Sequence, residues 1–151
     1  MGSTSSIINN NLNDIYISYD ISNQNNIYID KLSNELKKNN FNVVNCCHDS
    51  TILDESFDIK EKINIINEII NNSSNIVVCI TQNTIKSFIQ VIELNVILES
   101  NKKIIYIMTD INYTPLTNKE ASYFVNKNLW YPLYDDDSYN ETLKNISDYI
   151  L

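Results

Sequence analysis

The chain contains no arginine. All eleven of its basic residues are lysine, set against 19 acidic residues for a net charge of −8. That excludes an arginine finger or a bidentate arginine clamp on a phosphate, and an acidic surface argues against nucleic acid as a main partner. Glycine occurs once, at Gly2. A phosphate-binding loop, a dinucleotide fingerprint and an EF-hand all need glycine at a tight backbone position, so none can be built in its usual form. The single histidine, His48, excludes the two-histidine zinc helix. Cys46, Cys47 and Cys79 show no C-x-x-C spacing. An odd count without a secretory signal suggests free thiols in a reducing, cytoplasmic setting. No apolar run approaches the roughly 18–20 residues that cross a bilayer, so no membrane partner is expected.

What remains is 151 residues, 43% hydrophobic and 10% aromatic, enough for one domain with a real core. Residues 1–6 (MGSTSS) look like a start-site leader. The polar tail 1–12 is set aside, and 13–151 is expected to be one domain without internal repeats. Asparagine and isoleucine number 26 each, which reads as a bias of base composition. The glycosylation sequons at Asn72-Ser73-Ser74 and Asn140-Glu141-Thr142 therefore carry little weight.

Hydrophobic spacing gives strands over 14–19, 41–44, 76–80, 103–108 and 129–131, the last halted by Pro132. Helices are expected over 27–39, 58–72, 84–100, 118–126 and 137–150. The runs 76–80 and 103–108 are apolar without interruption, the mark of strands covered on both faces. Strands that alternate with helices make an α/β fold with a parallel sheet between two helix layers. Chemistry in such sheets collects beyond the carboxyl ends of the strands, here in loops beginning at Asp20, Cys46, Thr81 and Thr109.

Within residues 88–98 (FIQVIELNVIL) Glu93 is the only ionisable group. A helix apolar all round is normally buried. Its one carboxylate either points out through a narrow polar stripe on the side of Gln90 or sits partly desolvated beside a cleft. His48-Asp49 beside Cys46 and Cys47 has the residue types of a cysteine hydrolase, but adjacency is its only support.

Residues 13–20 (NDIYISYD) resemble the first-strand box of TIR (Toll/interleukin-1 receptor) domains, which usually reads D-x-F-I-S-Y. Residues 66–81 (INEIINNSSNIVVCIT) resemble that family's second helix running into its third strand. Residues 87–94 (SFIQVIEL) resemble its S-x-W-C-x-x-E-L helix, and Leu129-Trp130 its F-W box. The resemblance spans 13–151. It implies a flavodoxin-like three-layer fold with five parallel strands. It also implies one of two kinds of work in immune signalling. Some TIR domains are scaffolds that bind other TIR domains or copies of themselves. Others cleave NAD+ at the nicotinamide–ribose bond, giving nicotinamide and ADP-ribose or a cyclic ADP-ribose. NAD+ is then substrate, with no further cofactor or metal.

In those enzymes the catalytic glutamate is the E of S-x-W-C-x-x-E-L, which is Glu93 here. Ser18, Tyr19 and Asp20, at the end of the first strand, and Ser87, which starts the helix turn before Glu93, are implied beside the substrate. Phe57 is implied as an aromatic cover. The same residues also suit a strand cap, a helix hydroxyl and a core anchor, and Trp130 suits packing better than base stacking. The chain departs from the family where a Pro-Gly loop is usual, carrying Ile52-Leu53-Asp54-Glu55-Ser56, and where Ile89 and Gln90 replace the Trp and Cys. That altered loop motivates the alternative of a non-enzymatic TIR–TIR scaffold. A receiver domain fits less well, because no acidic residue closes the 77–80 strand.

Overall fold

Five short strands, four of them with Ile or Val within, form one sheet, and every connection between them carries a helix. The computed structural model describes residues 13–23, 26–45, 58–126 and 128–150. Its strands are β1 (Asn13–Ser18), β2 (Val43–Asn45), β3 (Ser73–Cys79), β4 (Lys103–Met108) and β5 (Trp130–Pro132). They lie in the order β2-β1-β3-β4-β5, all parallel. The helices are α1 (Ile27–Lys38), α2 (Ile59–Asn71), α3 (Phe88–Glu99), α4 (Lys119–Val125) and α5 (Asp136–Ile150). α1 packs with α5 and α2 with α3, while α3 and α4 share a surface hollow. This is the flavodoxin-like α/β architecture that the sequence pattern and the resemblance predict.

The core runs along β1, β3 and β4. Ile15, Tyr16, Ile17, Ile76, Val77, Val78, Ile105 and Ile107 are all buried. β1 thus joins the two strands expected to be covered on both faces. Its second face is made by Tyr16 and Ser18, residues that do not read as a core run.

Most boundaries shift by one or two residues from expectation, and three of the differences have a clear physical reason. β3 begins at Ser73 rather than 76, because its polar start is satisfied: Ser73 Oγ donates to the Ile69 carbonyl at 2.8 Å and Asn75 Nδ2 to the Asp14 carbonyl at 3.1 Å. The helix expected from 84 begins at Phe88. Thr84–Lys86 is a separate 3₁₀ turn, and Ser87, in extended conformation, starts the helix anew. Pro132 lies inside β5, opposite Met108, a place an edge strand allows.

Helix ends are built almost without glycine. Asn26, Asp58, Ser87 and Asn118 cap helix N-termini with side-chain oxygens. Asn40, Asn101 and Asn126 take positive φ of 70°, 58° and 53°. After α1, Asn40 N donates to the Lys37 carbonyl and Phe41 N to the Leu36 carbonyl, both at 3.1 Å. This is the Schellman arrangement, which usually puts glycine where Asn40 stands. Asn40→Gly should raise stability by roughly 0.5–1 kcal/mol and Asn40→Val lower it by more, both read from urea unfolding midpoints. No gain from glycine would contradict the assignment.

Among the described residues no helix is long and apolar enough to cross a membrane.

Candidate active site

The order β2-β1-β3 places a topological switch point between β1 and β3. The chain leaves β1 toward one edge of the sheet and β3 toward the other, and in open α/β sheets ligands bind beyond the carboxyl ends of the strands at such a point. Three of the four expected loops meet there. Asp20, after β1, is 4% exposed. Its carboxylate accepts from Ser22 N at 3.1 Å, from Ser22 Oγ, from Asn23 Nδ2 at 2.9 Å and, across the switch point, from Thr81 Oγ1 at 3.3 Å. Thr109, after β4, donates to Asn23 Oδ1 at 3.3 Å. The fourth loop, at Cys46, lies outside the described residues.

Beneath this polar layer is Glu93. It lies midway along α3, with Gln90 one turn earlier on the same face; each is only 1% exposed. Of the two seats expected for this carboxylate, a solvated stripe or a partly desolvated place beside a cleft, the structure excludes the first and buries the group more deeply than the second implies. Side chains alternate along a strand, so Tyr16 and Ser18 share a face of β1, and that face meets α3. The Tyr16 hydroxyl donates to Glu93 Oε2, and Ser18 Oγ donates to Oε1 at 2.8 Å. Gln90 Nε2 donates to the Cys79 carbonyl at 3.0 Å, tying the first turn of α3 to the end of β3.

Burial pushes the Glu93 carboxyl up to about 7, against the lowering effect of the Tyr16 and Ser18 hydrogen bonds. A carboxylate with no cationic partner among the described residues thus sits near half-ionisation at neutral pH. The Cys79 thiol is also buried and is pushed up to about 12, which leaves it inert as a nucleophile. Among the described residues no group of His, Cys, Asp and Glu side chains is arranged to hold a metal ion.

The other candidates from the sequence are distributed as follows. Ser18 is in contact with Glu93. Tyr19 is buried in the core, and by alternation its side chain leaves β1 on the face away from Ser18. Asp20 lies buried at the switch point and binds the 3₁₀ turn Ile21–Asn23. Ser87 is the N-cap of α3, accepting from Gln90 N at 3.3 Å. Phe57, His48, Cys46 and Cys47 lie outside the described residues. Trp130 is half-buried in β5 and packs on the core. Two residues at the site were not singled out in the sequence, Tyr16 and Gln90. The signal for Tyr16 was its position two before Ser18, where the first-strand box usually carries phenylalanine.

No family model matches the sequence, and none of the curated proteins does. Solved structures do. The TIR domain of the Toll-related receptor TRR-2 from the lower metazoan Hydra magnipapillata is 20% identical, with a TM-score of 0.66 over 91% of this chain and 98% of that one. The TIR domains of the activated Roq1 resistosome, which directly recognizes the pathogen effector XopQ, are 14% identical, with a TM-score of 0.69 over 92% and 99%. The RPS4 and RRS1 TIR domain heterodimer is 12% identical, with a TM-score of 0.63 over 89% and 96%. At these identities the likeness is one of architecture, and it gives this chain the fold of a TIR domain.

Proposed function

We propose that the chain is a TIR domain acting as an NAD+ nucleosidase, with Glu93 as its catalytic residue. The observation that carries the reading is Glu93 itself: a carboxylate beside the carboxyl end of β1, removed from water and held by two hydroxyls. A buried carboxylate lacking a cation is costly, and such groups concentrate where charge does work.

The chemistry is within its reach. The bond between the nicotinamide ring nitrogen and the ribose C1′ breaks heterolytically. The electron pair leaves with nicotinamide, which departs neutral and needs no acid. The ribose gains oxocarbenium character, which an adjacent anion in a dry site stabilises strongly. Water then bonds to C1′ and loses one proton, giving ADP-ribose; capture by a nucleophile within the same molecule gives a cyclic product instead. A carboxylate can also hold the ribose hydroxyls in place.

Ionised Glu93 is the working form, so nicotinamide release should rise with pH through about 7, as this carboxyl loses its proton. A rate that falls across that interval would contradict the role. Glu93 is nearly sealed in the single chain, so assembly is expected to complete the site. The heterodimer and resistosome among the structural neighbours are in keeping with association. The test is incubation with NAD+ at rising protein concentration and chromatography of the products. Release of nicotinamide that increases faster than linearly, and that is lost in Glu93→Ala, is the expected result. Equal release from both proteins would end the proposal.

One observation favours a second reading, a TIR–TIR scaffold in immune signalling. Both Glu93 oxygens are satisfied internally, as in a structural buried carboxylate. Under that reading light scattering detects assembly, while no NAD+ is consumed.

A further inference from the structure

Tyr16 is the group on β1 that most directly faces the charge of Glu93. Its ring is wholly buried and its hydroxyl reaches Oε2, while Ser18 takes Oε1 from the same strand face. The two donors sit two residues apart on β1, which is paired with β2 and β3 at Tyr16 and with β3 at Ser18, its last residue, so the sheet fixes both positions. We propose that Tyr16 is a positioning residue for Glu93: its hydroxyl fixes the carboxylate against the face of β1 and favours the ionised form over the protonated one. The proposal rests on Glu93 being the catalytic group.

No other described group competes for this role. On α2, which packs against α3, Lys60, Glu61 and Glu68 are exposed and Lys62 is half-buried. On the 3₁₀ turn before α3, Lys86 is exposed, as is Glu99 at the far end of α3. On β3 the Cys79 thiol is neutral, and on β4 burial raises the Tyr106 phenol, which is neutral as well. Just after β1, Asp20 is engaged by Ser22, Asn23 and Thr81. Burial raises the Glu93 carboxyl, and only Tyr16 and Ser18 pull it back. Each fixed hydroxyl therefore sets where on the pH scale the anion forms.

The experiment compares parent, Tyr16→Phe and a protein carrying 3-fluorotyrosine at position 16. The last keeps the ring's shape and makes the hydroxyl a stronger donor. Two readouts are taken across pH 5–9: the rate of nicotinamide release, and the midpoint of the Glu93 carboxyl by carbon-13 NMR, its resonance assigned by loss in Glu93→Gln. In Tyr16→Phe the midpoint and the acid limb of the rate should both move up by about one pH unit, and the rate at neutral pH should fall several-fold and recover in alkali. The fluorinated side chain should move both the other way. A loss of rate that is uniform in pH, with an unmoved Glu93 midpoint, is what packing alone gives and would overturn the inference. If the parent releases no nicotinamide, the nucleosidase reading fails and the catalytic part of this proposal fails with it. The midpoint shifts then still report whether Tyr16 governs the ionisation of Glu93.

Discussion

Substituting glutamine for Glu93 is expected to make the protein more stable at pH 8, by roughly 2–3 kcal/mol. The carboxyl of the folded protein loses its proton near 7 against an ordinary 4.5, so the folded state binds that proton more tightly than the unfolded chain. The stability this group supplies is present in full below about 4.5 and drains away as pH rises through about 7. Above that, the folded protein carries an ionised carboxylate in a dry seat, which the unfolded chain hydrates freely. Glutamine occupies the same volume, accepts from the Tyr16 or Ser18 hydroxyl, and has no charge to desolvate. Urea unfolding at pH 5 and pH 8 checks this: the variant should differ little at pH 5 and gain at pH 8. A variant weakened at pH 8 would mean that the carboxylate is comfortable where it lies.

Asp20→Ala should have the opposite sign and be as large, a loss of roughly 2–4 kcal/mol. Asp20 is the knot that joins the loops after β1 and β3. Without its carboxylate, the Asn23 amide and the Thr81 hydroxyl keep buried donors that have lost their acceptor, and Ser22 loses two bonds. An unmet buried donor costs more than the bond itself contributed. Asp20→Asn keeps an acceptor and should recover about half of the loss. Hydrogen exchange at the amides of Ser22 and Asn23 would report the same defect locally, as faster exchange at those two sites than in β4. An Asp20→Ala protein as stable as the parent would show that this network is ornamental.

Much of the architecture could be read directly from residue patterns. The runs 76–80 and 103–108 announced covered strands, and the helices at 27–39, 58–72 and 137–150 came within about two residues of their observed limits, the usual uncertainty of helix ends. What escaped was polar structure whose bonds are supplied from afar. Ser73 and Asn75 look like a loop until Ile69 and Asp14 provide acceptors. Ser87 looks like a residue within a helix until the turn at Thr84–Lys86 is seen to end before it.

At the site, Glu93 stood out because eleven neighbouring residues offer no other ionisable group. Its depth could not be inferred, since that depends on β1 packing against α3, and Tyr16 and Ser18 stand 77 and 75 residues before Glu93 in the chain. For the same reason Tyr16 passed as one more aromatic in a strand. Its hydroxyl acquires a function only once the sheet order puts β1 next to β3.

The account turns on the charge of one side chain, and glutamine at position 93 removes that charge while leaving size and hydrogen bonding in place. The decisive measurement is the rate of nicotinamide release from NAD+ at pH 8 by the parent and by Glu93→Gln, at equal and high protein concentration. The account predicts that the glutamine protein is folded, more stable than the parent, and at least about a hundredfold slower. Equal rates, or a parent that leaves NAD+ intact at every concentration, would contradict it.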